Sequence, residues 1–174
     1  VRHLIKREGT SCLHLPETHQ IFKKFRQYLD ARHPGVIFLA EAGGRLDETS
    51  KYFGDGDECH LVFHFELMAR IYLAVKRSDF SVIRDVIKKS LNIPGNCAWA
   101  IFVSSHDEIT FSTLGNNERQ ELLEWLDPQG EYSFRGGRGV SMRLATAFSG
   151  DKKKILKMFE VLFSLPGSPV IYYG

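Results

Sequence analysis

The stretch AWAIFVSSHDEIT, residues 98–110, decides how the rest of the chain is interpreted. It begins with an unbroken apolar run, and a run without polar alternation is typical of a parallel strand that is buried on both faces. Three ionisable side chains, His106, Asp107 and Glu108, follow with no glycine or proline among them. Because active sites of parallel α/β folds lie at the carboxyl ends of strands, the stretch predicts a strand that ends in a candidate active site.

Three other apolar runs, VIFLAEA (36–42), CHLVFHF (59–65) and SPVIYY (168–173), predict further strands. The segments between these runs have apolar residues at helical spacing, which predicts helices. Strands that alternate with helices favour a parallel sheet with right-handed crossovers, and therefore an α/β fold. We predict helices over residues 16–32, 66–77, 79–91, 116–126, 140–148 and 151–165, and a loop over residues 127–139.

The composition is that of one globular domain. The 174 residues are 43% hydrophobic and 25% charged, which argues against disorder. A net charge of +2 is too small to indicate nucleic acid or an anionic membrane as a partner, and no apolar run approaches the roughly 18 residues of a membrane span. Three cysteines without close spacing predict reduced thiols rather than disulfides. We therefore expect a cytoplasmic protein.

Polar residues that end the apolar runs are the first candidates for chemistry. They are Glu41, His64 and the pair His106–Asp107. Two carboxylates from neighbouring strands are the minimum that glycosidic bond chemistry requires. Each residue also has a structural alternative, since Glu41 can form a salt bridge, His64 can be a hydrogen-bonded core histidine, and Asp107 can cap a helix. The combination, rather than any one residue, indicates a catalytic site.

The motifs FLAEA, FVSSHDE and GSPVIYYG, in this order, resemble the later half of the catalytic domain in glycoside hydrolase family 13, the α-amylase family. Longer segments such as IKREGTSCLHLPETH and YFGDGDECHLVFHFELM are similar to the trehalose synthase branch, and the match runs over residues 1–174. The resemblance implies part of a (β/α)8 TIM barrel, with about four parallel strands, the fifth to the eighth, and intervening helices. Residues 1–174 would then be a single domain, the C-terminal half of the catalytic barrel.

The resemblance also implies a role for each site residue. Glu41 matches the general acid/base that protonates the glycosidic oxygen, and Asp107 matches the carboxylate that stabilises the oxocarbenium-like transition state. His106 matches the histidine that hydrogen-bonds the same sugar. The implied substrates are the α-glucoside disaccharides maltose and trehalose, interconverted by a retaining glucosyl transfer. Calcium is common in the family, but no carboxylate cluster here requires it, so we expect neither a metal ligand nor a cofactor.

One catalytic residue is missing from the match. In the family, the nucleophile is an Asp at the end of the fourth strand, which falls immediately before Val1. Because a retaining mechanism needs the nucleophile about 5–5.5 Å from the acid/base, we expect the 174-residue chain to be inactive alone. Its open parallel edges are expected to favour either a barrel-like homo-oligomer or a flattened sheet. Ser105 also departs from the family, which usually has Asn there.

Three other functions compete with this interpretation. The chain can belong to an α-amylase or α-glucosidase that hydrolyses its substrate, or it can be a non-catalytic interaction domain with the amylase fold. RGGRG (135–139) and KKK (152–154) suggest a nucleic-acid-binding module. A single such motif is weak, because RNA-binding versions occur in disordered repeats. We therefore expect arginines that face the substrate or support the fold, and the lysines form the first turn of a helix.

Overall fold

The computed structural model describes residues 4–173, which form an α/β fold. Four parallel strands form one sheet, in which each strand pairs with the next of the four along the chain. The strands of this sheet are β1 (Leu39–Ala40), β2 (Leu61–Phe63), β3 (Ala98–Ile101) and β7 (Ser168–Pro169). The helices are α1 (Pro16–Arg32), α2 (Leu46–Thr49), α3 (Phe65–Arg77), α4 (Ser81–Ser90), α5 (Asn116–Leu126), α6 (Leu144–Ala147) and α7 (Lys152–Phe163). The predicted α/β class and the four parallel strands are confirmed.

The strands are shorter than their apolar runs. The run at 98–105 forms a strand only over Ala98–Ile101, yet Phe102 and Val103 are 2% and 1% exposed. An apolar run predicts which residues are buried, and burial here continues past the last residue that pairs with a neighbouring strand. The helices α1 and α5 match their predicted ranges residue for residue, because their boundaries carry local signals such as the proline at the start of α1.

A second sheet follows the carboxyl end of β3. Its antiparallel strands β4 (Ile109–Thr110), β5 (Ser133–Phe134) and β6 (Gly139–Val140) lie in the order β4-β6-β5. The predicted loop over 127–139 is therefore wrong in part, since two-residue strands leave no periodicity to detect. A Cβ on Gly139 would lie 2.4 Å from the carbonyl oxygen of Ile109, so only glycine permits this close pairing.

Helix α3 is the centre of the core, and it packs against α4, α5 and α7. Its buried side chains are Leu67, Met68, Ala69, Ile71, Tyr72, Leu73 and Ala74. The Tyr72 hydroxyl donates a hydrogen bond of 2.7 Å to the carbonyl of Val103. Burial raises the pKa of Tyr72, so the hydroxyl keeps its proton and remains a donor. This bond joins α3 to the segment that leads from β3 into the candidate site.

His64 lies in the core, 2% exposed, rather than at the candidate site. Its Nδ1 accepts a hydrogen bond from the Leu67 N–H at the start of α3, and its Nε2 lies 2.6 Å from Ser90 Oγ. The Ser90 hydroxyl donates to the carbonyl of Val86 at 2.6 Å, so Nε2 carries the proton and the ring is neutral. Burial lowers the pKa of His64 to about 3. The alternative of a hydrogen-bonded core histidine therefore describes this residue.

The two faces of the parallel sheet differ in burial. Val62 and Trp99 are buried in the core at 0% and 4% exposed. On the opposite face Leu61 and Phe63 are half-buried, and Leu39 is 40% exposed. The prediction of burial on both faces is therefore confirmed for β3, where Ala100 on this face is 0% exposed. It is wrong for β1 and β2, because four strands do not close a cylinder. None of the helices between residues 4 and 173 is long and apolar enough to cross a lipid bilayer.

We predict that neutral His64 makes the fold less stable in acid. The unfolded pKa is about 6.5 and the folded pKa is about 3. The stabilisation is therefore full above the unfolded pKa and is lost as the pH falls below it, by about 1.4 kcal/mol per pH unit. Urea unfolding from about pH 6.5 to about pH 4.5 measures this slope, which should be shallower by that amount in His64→Gln.

The matched control for His64 is His33→Gln, because His33 is an exposed histidine after α1. We expect the control to keep the wild-type slope. A His64→Gln protein with the wild-type slope would contradict the assignment of a neutral, buried ring.

Candidate active site

The structure brings Glu41, His106 and Asp107 together at one edge of the parallel sheet. One side-chain ligand atom from each residue lies within 4.8 Å of the others. Glu41 directly follows β1, and His106 comes five residues after the end of β3. The parallel register of these strands puts their carboxyl ends at the same edge. The predicted site residues therefore form one cluster, and their individual roles stay predictions.

His106 and Asp107 project from a short turn beyond β3. The His106 Nε2 lies 3.6 Å from Asp107 Oδ2, and the two side chains are 60% and 62% exposed. The backbone N–H of Asp107 donates to Ser105 Oγ at 3.2 Å, so the serine hydroxyl stabilises the turn. An Asn side chain at position 105 has an oxygen for the same bond. The departure from the family at Ser105 therefore leaves the turn intact and shortens the side chain beside the site.

The Arg143 side chain holds this turn by hydrogen bonds to the main chain of the turn. Its Nη1 donates to the carbonyls of Ser105 and Asp107 at 3.2 and 3.0 Å. The guanidinium also lies 5.1 Å from the ring centroid of Tyr172, which follows β7. A charged donor makes each bond stronger than one between neutral groups. Together with the bond from Tyr72 to the end of the β3 segment, these contacts fix the path of the chain into the turn.

The segment that carries Glu41 is anchored to α3. The Glu66 carboxylate in the first turn of α3 accepts a hydrogen bond of 2.9 Å from the N–H of Leu46, where α2 begins. Phe65 and Phe102 form an edge-to-face pair beneath the site, with centroids 5.1 Å apart. The carboxylate and the aromatic pair therefore connect the ends of β1 and β3 through the same helix.

An open cavity of about 560 Å³ lies beside the cluster. It is lined by Glu41, Asp107 and ten further residues, which are Gly43, Gly44, Phe65, Ser105, Glu108, Thr110, Ser112, Phe134, Arg135 and Arg138. A second cavity of about 550 Å³ is lined by His106 and Arg143 and shares Asp107 with the first. Pockets of this size accept ligands as large as a disaccharide.

Sequence reasoning missed several residues that shape the site. Glu108, which received no role from the sequence, lines the same cavity as Asp107. Arg143 and Tyr72 act on the turn from 36 and 31 residues away along the chain, and no local pattern marks them. The arginines of RGGRG were expected to face the substrate or to support the fold, and Arg135 and Arg138 line the cavity; their role stays a prediction.

Among residues 4–173, the same cluster is the one group of three or more His, Cys, Asp or Glu side chains that could share a metal ion. Calcium typically takes about six to eight oxygen ligands. Two carboxylates and a ring nitrogen, all exposed, fit such an ion poorly. The donor set instead suits hydroxyl groups, because the carboxylates accept and the imidazole N–H donates.

Comparison with known proteins identifies relatives of the whole chain. A family model described as the catalytic domain of α-amylase matches residues 5–128. The "Trehalose synthase/amylase TreS" of Mycobacterium tuberculosis (strain H37Rv) is 41% identical over 180 residues, covering 100% of this chain and 29% of that protein. The trehalose synthase of Thermus thermophilus is 38% identical over 175 residues, covering 100% of this chain and 18% of that protein. The chain thus spans less than a third of the length of these relatives.

A solved structure has the same fold. The crystal structure of sucrose 6F-phosphate phosphorylase from Thermoanaerobacter thermosaccharolyticum superposes with a TM-score of 0.74 at 19% identity, covering 97% of this chain and 35% of that one. The predicted part of a (β/α)8 barrel, with four parallel strands and intervening helices, is confirmed. The match to the catalytic-domain model and the shared fold show that this chain belongs to the α-amylase family, glycoside hydrolase family 13.

Proposed function

We propose that this chain supplies the acid/base and the sugar-holding residues of an enzyme that transfers glucosyl groups from α-glucoside disaccharides. The finer proposal is a trehalose synthase-like enzyme that interconverts maltose and trehalose by retaining transfer. One observation carries the proposal: Glu41, His106 and Asp107 come within 4.8 Å of one another beside an open cavity. The identity to trehalose synthases over the whole chain supports the choice of substrate.

In the proposed reaction, each residue acts on a defined atom. Glu41 gives a proton to the glycosidic oxygen as the bond from that oxygen to the anomeric carbon breaks. Asp107 stays ionised, so that its negative charge stabilises the positive charge on the anomeric carbon. His106 donates a hydrogen bond to a hydroxyl of the same ring. Glu41 then accepts the proton of the incoming hydroxyl, which in isomerisation belongs to the glucose just released.

The nucleophile of a retaining reaction lies outside this set. The distance between Glu41 and Asp107 would by itself permit Asp107 to attack the anomeric carbon, since their nearest oxygens lie within 4.8 Å and a retaining pair is about 5–5.5 Å apart. The family resemblance instead gives Asp107 the stabilising role and puts the nucleophile before Val1. We therefore propose that residues 1–174 are the C-terminal half of one catalytic domain and are inactive alone.

Hydrolysis is the second candidate reaction. The M. tuberculosis relative carries both trehalose synthase and amylase in its name, and the exposure of His106 and Asp107 leaves water free access to the site. The two reactions differ in their products, because isomerisation conserves the disaccharide and hydrolysis yields two glucose molecules. A non-catalytic interaction domain is the third candidate, and it predicts that replacement of Glu41 has no effect on turnover.

The proposal assigns no cofactor, and its partner is the disaccharide. The net charge of +2 gives no support to a nucleic acid or a membrane surface as a partner. A cytoplasmic location is part of the same proposal, since all three cysteines are free thiols. The half-buried face of the sheet favours either a complementary half-barrel or a second copy of the chain over exposure to solvent.

We predict that the 174-residue chain alone neither turns over maltose nor forms a covalent adduct with α-glucosyl fluoride. Addition of a polypeptide that carries the first four strand–helix units of the M. tuberculosis relative should restore turnover. In that assembly, Glu41→Gln should lower kcat about a hundredfold or more, because a general acid contributes at least that factor. Chromatographic analysis of the sugars measures the rate and separates isomerisation from hydrolysis.

The matched control is Glu108→Gln, which removes a carboxylate from the same cavity but leaves the proposed acid in position. We expect it to change kcat by less than about tenfold. Turnover by the isolated chain, abolished by Asp107→Asn, would contradict the proposal and make Asp107 the nucleophile.

We also predict that Arg143→Ala weakens disaccharide binding by the complemented enzyme at least about tenfold, because two charge-assisted bonds to the turn are lost. Arg119→Ala is the control, since its guanidinium also donates to a backbone carbonyl, that of Leu114 at 3.1 Å, away from the site. Calorimetric titration with maltose measures both affinities. Equal affinity of Arg143→Ala and the wild type for maltose would contradict the proposed role of Arg143 in positioning the turn.

A further inference from the structure

The RGGRG segment forms the tight turn between β5 and β6. Arg135, Gly136 and Gly137 have positive φ angles of 47°, 66° and 80°, and the Arg138 N–H donates to the carbonyl of Phe134 at 3.0 Å. Left-handed backbone is costly for arginine, which has a Cβ. The turn puts Arg135 and Arg138 at its two ends, and both side chains line the cavity that contains Glu41.

These two guanidinium groups have no carboxylate partner in the described part of the chain. Neither Arg135 nor Arg138 forms an ion pair within residues 4–173, although three carboxylates line the same cavity. Other arginines do pair, since Arg70 and Arg77 each lie 2.6 Å from a glutamate. Two positive charges therefore face a cavity where no carboxylate of residues 4–173 forms an ion pair with them.

Stacking fixes one of the two groups. The Arg135 guanidinium lies 4.9 Å from the ring centroid of Phe134, and a guanidinium held over an aromatic face keeps its N–H edge available for hydrogen bonds. Phe134 and Arg135 line both cavities that share Asp107. The stacked pair and Asp107 are thus shared by the two cavities.

We propose that Arg135 and Arg138 bind the negatively charged group, a carboxylate or a phosphate, of a molecule that occupies this cavity next to the glucosyl group. Guanidinium groups match both anions with paired N–H donors, whereas neutral sugar hydroxyls need no such charge. The inference rests on the proposed function, because it makes the occupant a charged acceptor or leaving group of the same transfer. It extends the substrates beyond neutral disaccharides.

The test is a titration of the purified chain with inorganic phosphate, with glycerate as the carboxylate probe and with glycerol as the neutral probe. Backbone amide NMR monitors the titration. The ionic strength is kept constant, because nonspecific charge effects depend on salt. We expect saturable shifts of the amides of residues 134–139 with phosphate, glycerate or both, and none with glycerol. The arm that saturates identifies the anion.

Two double variants make the test specific. Arg135→Gln/Arg138→Gln should weaken anion binding at least about tenfold. Arg84→Gln/Lys88→Gln removes two exposed positive charges from α4 and should leave binding unchanged. Circular dichroism checks that both variants stay folded, and Arg138→Gln alone, which leaves the strained position intact, should lower affinity in the same direction.

Equal affinity in the wild type and in the Arg135/Arg138 variant, or equal loss in both double variants, would overturn the proposal. The titration needs no turnover, so its outcome is independent of the glucosyl-transfer experiments. Anion binding without turnover in the complemented enzyme would refute the proposed function and keep the anion site. Turnover without anion binding would refute the anion site and support the proposed function.

Discussion

Parallel pairing of β1, β2, β3 and β7 is the constraint on which the candidate site depends. Since all four strands run in one direction, every strand leaves the sheet at the same edge, and residues 65 positions apart, Glu41 and His106, meet there. Antiparallel pairing of β1 with β2 would send Glu41 to the opposite edge. The helices that cover the sheet, with buried α3 at their centre, make this direction of pairing possible, because a parallel connection needs a crossover.

The site combines exposed side chains with a main chain that is held firmly. His106 and Asp107 are mostly exposed, so packing does little to fix them. Their backbone is fixed instead by Arg143, which donates to two carbonyls of the turn, and by the hydroxyl of Tyr72 behind it. Polar groups buried deeper, such as His64 and Ser90, serve the fold alone. The candidate catalytic side chains are therefore separate from the groups that hold their backbone.

Sequence reasoning reached the sheet and the clustered residues, because both leave local signals. An apolar run that ends in Glu41 or in His106–Asp107 can be read directly, and parallel strands bring such ends together. Arg143 left no signal, since its contacts are to backbone carbonyls that any sequence provides. The hairpin of β5 and β6 was hidden because its strands have two residues each. The half-buried face at Leu61 was not predicted, because an apolar run does not indicate whether other parts of the same chain cover that face.

The hydrogen bonds from Arg143 to main-chain carbonyls have a consequence for how this site can evolve. A bond to a carbonyl oxygen is indifferent to the side chain on the same residue, so the bonds from Arg143 place no requirement on the side chains at positions 105–107. Position 105 has a requirement of its own, because the Ser105 hydroxyl oxygen accepts a hydrogen bond from the Asp107 N–H, and a short polar side chain is needed for this bond. Substitutions at positions 106 and 107 can therefore change the side chains that the candidate site displays while the bonds from Arg143 to the turn are kept.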